Sequence, residues 1–134
     1  MSATWFETVQ RWAPTGLAAL FVGSGFLHLA RPSVFLPAVP STLPARQAII
    51  LASGIAELAC AAGLISGQRW AGRASAALLV AIFPGNLAVA LATSTDPGSS
   101  RLAVAAAWVR LPVQIPLVWA ALQARPAGAR RPIS

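Results

Sequence analysis

The chain has 134 residues, 57% of them apolar and 10% charged, with a formal net charge of +7. The apolar residues fall in several long, sparsely charged runs, which excludes a soluble core and points to one integral membrane domain. Nucleic acid is not indicated as a partner, because the ten basic residues are all Arg and sit singly at the ends of apolar runs instead of forming one basic face.

Met1 to Ala13 carries Trp5, Phe6, Arg11 and Trp12, an amphipathic lead-in whose indoles and guanidinium suit a membrane interface. It lacks the basic n-region of a secretory signal, and no small-x-small cleavage site follows, so the first apolar run is expected to stay as an anchor. That first span is predicted from about Pro14 to Ala30. Pro14 at its start costs nothing, since first-turn N–H groups have no partner within the helix. Ser24 and Gly25 lie one turn before His28 on the same face and allow a neighbouring backbone to come close.

Between Arg31 and Arg46, Pro32, Pro37, Pro40 and Pro44 are too closely spaced for a continuous helix, yet the residues between them are mostly apolar. Such a segment is expected to fold back onto the bundle as a lid or re-entrant turn. The second span, about Ala45 to Ser66, has Glu57 near its middle and ends in Gly63 and Gly67, a small-xxx-small pair that could serve a homo-oligomer. The third, about Ala71 to Thr93, contains Phe83-Pro84-Gly85-Asn86. A kink is expected there, with Asn86 bonded to freed carbonyls or to another helix. Asp96-Pro97-Gly98 makes a polar turn. The fourth span, about Leu102 to Ala124, carries Trp108, Arg110, Pro112, Gln114 and Pro116, and a flexible tail from Arg125 to Ser134 follows.

The predicted architecture is therefore all-α: an antiparallel four-transmembrane-helix bundle, kinked in its third and fourth helices, with a Pro-rich connection between helices one and two. Arg11, Arg69, Arg73, Arg125, Arg130 and Arg131 would lie at one face and Arg31, Arg46 and Arg101 at the other. Six against three places both termini in the cytoplasm.

Depth follows from a rise of roughly 1.5 Å per residue. Glu57 lies roughly 18 Å inward from the outer end of its span, Arg110 roughly 12 Å and Gln114 roughly 18 Å. With His28 and Asn86, these residues cluster between the midplane and the outer leaflet. An acid within a span is costly without a partner, and Arg110 is the only base well below the surface, so the two are expected to pair. Trp108, near the same layer, could wall a flat ligand.

Each feature has a plainer reading. Glu57 with Arg110 could fix only the bundle register; His28 could be a satisfied interfacial histidine, and Asn86 could simply repair the kink. Cys60, the only cysteine, permits neither an intrachain disulfide nor a CxxC redox pair and could be a small apolar filler. His28 has no second ligand at metal spacing, so no metal site is expected, and no catalytic constellation emerges.

Taken in order, Gly25-x-x-His28, Pro32-x-x-Phe35-x-Pro37-x-x-Pro40-x-x-Leu43-Pro44, Ser53-Gly54-x-x-Glu57-Leu58, Phe83-Pro84-x-Asn86 and Trp108-x-Arg110-Leu111-Pro112-x-Gln114 resemble the DoxX-like family of small four-helix bacterial membrane proteins. The match covers roughly Gly25 to Trp119. Gly85 departs from the pattern, where Ala is expected. The resemblance implies a four-helix bundle in the bacterial cytoplasmic membrane. Members are associated with membrane redox systems, including a small subunit of a thiosulfate:quinone oxidoreductase.

Two functional readings follow. In the first, the chain is an accessory subunit, more a binding protein than an enzyme by itself. Its outward-facing pocket of His28, Glu57, Asn86, Trp108, Arg110 and Gln114 takes a small amphiphile such as a quinone, beside a redox partner protein. In the second it is a carrier in which Glu57 gains and loses a proton, or else a structural scaffold. A carrier needs polar access from both sides, and the inner halves of the spans read as almost entirely apolar, which favours binding.

Overall fold

The computed structural model describes residues 2–128. Its elements are α1 (Ser2–Ala30), a short 3-10 helix η1 (Pro32–Ala38), α2 (Arg46–Ser66), α3 (Ala71–Thr95) and α4 (Arg101–Leu122). All four α-helices are long and apolar enough to cross a membrane. Successive helices run antiparallel, the α2–α3 and α3–α4 pairs through short turns and the α1–α2 pair through the longer connection that holds η1. α1 packs most extensively on α2 and α3 on α4, with lighter α2–α3 and α1–α4 contacts, so α4 lies diagonally across from α2. Two ends result. The lid face carries η1 and the α3–α4 loop, and the terminal face carries the start of α1, the α2–α3 turn and the chain after α4.

Spans two to four begin and end within two residues of their predicted limits. Span one does not. The lead-in is continuous with it, so Pro14 sits inside a helix of 29 residues. Its missing donor leaves the Gln10 carbonyl without its usual intrahelical bond, near the polar end of the span. The Gln10 side chain donates to Gln123 Oε1 at 2.7 Å, tying α1 to the end of α4.

The α2–α3 turn is set by Gly67. Its φ of +70° closes α2 with two bonds, Gln68 N–H to the Gly63 carbonyl at 2.9 Å and Gly67 N–H to the Leu64 carbonyl at 3.4 Å. This paired termination needs a left-handed residue, which glycine adopts without steric cost. Gly63 is occupied inside the chain: a methyl there would stand 2.7 Å from the Trp70 ring and 2.9 Å from Ala71. The start of the tail also packs, since Ala127 N–H donates to the Gly67 carbonyl at 2.8 Å. The rest of the tail, 129–134, lies outside the described residues. At the other end, Asp96 accepts from Gly98 N–H at 3.0 Å and from Ser99 Oγ at 3.1 Å, and Ser100 caps α4 by accepting from Ala103 N–H at 3.1 Å.

The core is small. Leu17, Ala18 and Phe21 of α1 meet Cys60 and Ala61 of α2, Leu79 of α3 and Ala121 of α4. Most large apolar side chains face outward instead, among them Leu20, Phe26, Ile55, Ile65, Val80, Leu102 and Ile115. A bundle apolar inside and out, with backbone polarity satisfied within helices, is what hydrocarbon on every side selects. The chain is a multi-pass membrane protein.

Candidate functional site

The site begins with a close helix crossing. A methyl on Gly25 would lie 2.9 Å from the Gly54 carbonyl oxygen and 2.8 Å from Leu58 Cγ; one on Gly54 would lie 2.6 Å from His28 Cβ. Only glycines permit this approach of α1 to α2. It brings His28 over the face of α2 that carries Glu57.

His28 Nδ1 stands 3.4 Å from Glu57 Oε2, and both residues are buried, Glu57 to 3% exposure. The same Nδ1 is 2.8 Å from the Ser24 carbonyl oxygen. A carbonyl only accepts, so Nδ1 carries a hydrogen. Ser24 Oγ lies 3.4 Å from Nδ1. Glu57 thus faces a histidine of the neighbouring helix, itself positioned by a serine one turn below it.

The expected Glu57–Arg110 ion pair does not form. Among the described residues, Glu57 makes its ion-pair contact with His28. The reason is positional: α1 reaches Glu57 first through the glycine crossing, while Arg110 rides on the diagonal helix. Arg110 is exposed and makes no hydrogen bond or ion pair with a described residue.

The Pro-rich connection folds back as expected. η1 packs against α1, α2 and α3. Phe35 stacks on the His28 ring, centroids 3.6 Å apart and planes 13° from parallel. Arg46 clamps the connection: Nε and Nη2 donate to the Val39 carbonyl at 3.1 and 2.8 Å, and Nη2 also donates to the Leu36 carbonyl. Gly85 is where the lid meets α3, because a methyl there would stand 3.1 Å from the Ala38 carbonyl oxygen. The glycine that departs from the family-like pattern is therefore at a tight contact.

The other candidates divide. Asn86 is half-buried and bonds to no described residue, neither to freed carbonyls nor to another helix. Trp108 is 43% exposed and donates from Nε1 to Ser94 Oγ at 2.7 Å, a strut between α3 and α4 and not a wall beside His28. Gln114 is buried deeper and donates from Nε2 to the Leu79 carbonyl, joining α4 to α3.

Sequence reasoning missed Arg46, counted only for orientation, and Ser75, fully buried on α3. Donor-poor prolines beside an arginine were the available signal for the first. For the second it was a hydroxyl one turn before Leu79 on one helical face. Ser75 also interrupts a half of the bundle that reads as apolar. The two clefts at the terminal face are separate from the His28–Glu57 pair; one, of about 840 Å³, is lined by Arg69, Gly72, Arg73, Ala121 and Pro126 among others.

Over residues 17–125 the sequence matches the family described as "Domain of unknown function (DUF8561)", and the chain belongs to that family. No curated protein and no solved structure matches it.

Proposed function

We propose that this DUF8561 member is a DoxX-like accessory protein of the bacterial cytoplasmic membrane, both termini cytoplasmic, binding the polar head of a small amphiphile under its Pro-rich lid. A quinone suits the chemistry best. The observation that carries this reading is Arg110, a guanidinium within a span, free of any bond to a described residue. Leaving such a group without a partner in hydrocarbon is costly, and a ligand oxygen offers it one.

The remaining groups fit the same guest. A quinone carbonyl accepts from Arg110 or from the unbonded Asn86 amide; the reduced form donates to His28 Nε2. The flat surface of His28, now covered by Phe35, suits a planar ring. Orientation rests on the Arg count at the two faces, and membership of a redox assembly with a partner protein rests on the resemblance.

The test is lipid extraction of the purified protein for co-purifying quinone, followed by titration with short-chain ubiquinone and menaquinone analogues, read by tryptophan quenching. Saturable quenching that weakens about tenfold or more in Arg110→Met is expected, the loss of one charged hydrogen bond. An empty extract together with no saturable quenching overturns the reading.

A further inference from the structure

Two polar atoms inside the bundle, Ser75 Oγ and Gln114 Oε1, are buried and without a hydrogen-bond partner among the described residues, and a third, Glu57 Oε2, has only its 3.4 Å ion-pair contact with His28 Nδ1. They belong to three helices, α2, α3 and α4, and their side chains are at most 5% exposed. Buried polar atoms in native proteins are nearly always bonded, so these in one small bundle point to something that bonds them. The set is chemically mixed. Gln114 Oε1 only accepts, the Ser75 hydroxyl donates and accepts, and a carboxyl does either according to its proton. Water, with two donors and two acceptors, suits such a set.

Helix spacing orders these groups along the bundle. Cys60 follows Glu57 by one turn on α2 and packs in the core with Leu79 of α3, one turn from Ser75. Ser75 is one turn along α3 from Gly72, which lines the terminal-face cleft with Ala121. One turn further along α3, the Leu79 carbonyl accepts from Gln114. The route thus descends from the carboxyl in the middle of α2, past the thiol and the hydroxyl, to a cleft at the face opposite the lid. The ionisable groups around Glu57 are His28 from α1, Arg110 from α4 and Cys60 on its own helix, while the ionisable residue of α3, Arg73, lies at the terminal face.

We propose that water threads from the terminal-face cleft along Ser75 and Cys60 to the Glu57 carboxyl, giving it a proton-exchange route separate from the lid-face site. The proposal stands whatever the lid-face site binds. Glu57 then faces two compartments: its His28 side belongs to the lid, and its Cys60 side belongs to the opposite surface. Proton gain or loss at Glu57 need not pass the lid.

Cys60, the only cysteine of the chain, makes a direct test. Silver ion attacks thiols only where water carries it. Protein in liposomes is exposed briefly to silver nitrate and quenched, then unfolded in detergent, and the remaining thiol is counted with a maleimide by mass spectrometry. Folded wild type is expected to lose its maleimide reaction. Ser75→Val is expected to slow the loss by about tenfold or more, as removal of one buried hydrogen-bonding position should. Phe35→Ala, which uncovers the lid face, should leave the rate unchanged. Melting is followed for each variant, and Gln114→Leu replaces Ser75→Val if the latter does not fold. A wild-type thiol protected from silver when folded but reactive when unfolded overturns the proposal. So does a rate indifferent to the seam variants or raised by Phe35→Ala. Quinone plays no part in the assay, so its outcome is independent of the binding reading.

Discussion

Gly54→Ala tests the geometry on which the site depends. The added methyl would stand 2.6 Å from His28 Cβ and 3.0 Å from the Gly25 carbonyl oxygen, and both obstacles are backbone or nearly so. Neither yields by a side-chain rotation, so α1 and α2 must separate. Overpacking of this kind costs roughly 1–3 kcal/mol. Replacing a mid-helix glycine by alanine returns about 1 kcal/mol of helix propensity. The net loss is up to about 2 kcal/mol, a fall in melting temperature on the order of 5 °C for a chain of this size. Gly16→Ala and Gly23→Ala are the controls: they lie on α1 with nothing within 4 Å of the added methyl, and should raise stability by about 0.5–1 kcal/mol. The assay is thermal unfolding in detergent, read by a thiol-reactive dye at buried Cys60. A Gly54→Ala protein that melts at or above the wild type, in step with the controls, would mean that α1 and α2 do not cross there.

Further outcomes follow from the same contacts. In a double-mutant cycle of His28→Leu with Glu57→Gln, coupling of about 1 kcal/mol or more is expected in detergent melts, whereas Glu57→Gln with Arg110→Met should add to within about 0.5 kcal/mol. The reverse ranking would restore Arg110 as the partner of Glu57. Arg46→Gln removes the donors that hold the Leu36 and Val39 carbonyls, and should speed protease cleavage between 32 and 45 by about tenfold, the worth of one charge-assisted bond; unchanged cleavage would show that the lid needs no clamp. Gly67→Ala forces a left-handed alanine and drives its methyl to 2.7 Å from Ala127 N, so a loss of about 1–2 kcal/mol or more is expected in the same melts.

The spans and the fold-back connection were legible because hydrocarbon imposes length and apolarity, and because four prolines between 32 and 44 rule out a continuous α-helix there. Depth was legible only in part: counting puts His28 near the end of its span and Glu57 near the middle of its own, yet the two stand 3.4 Å apart. Azimuth was not. Whether Arg110 or His28 meets Glu57 depends on which helices are neighbours and which are diagonal, and that is settled by the Gly25–Gly54 contact between two distant segments. The start of α1 was misjudged for a related reason. A proline reads as a boundary, yet a helix tolerates one where only a single carbonyl near the polar end loses its donor. Trp108 and Gln114 were placed at one polar layer by depth, but their bonds to Ser94 and to the Leu79 carbonyl tie them to α3 instead.

The unequal packing of the bundle bears on how it is made. Because α1 and α2 embrace each other more closely than either meets the second pair, the first two spans can leave the ribosome and settle in lipid as a finished unit. Within that unit the carboxyl already has its imidazole, and the serine below is already in place. The most expensive side chain to insert is thus sheltered by the first two spans alone, and the later spans arrive to cover a polar contact that has already been made.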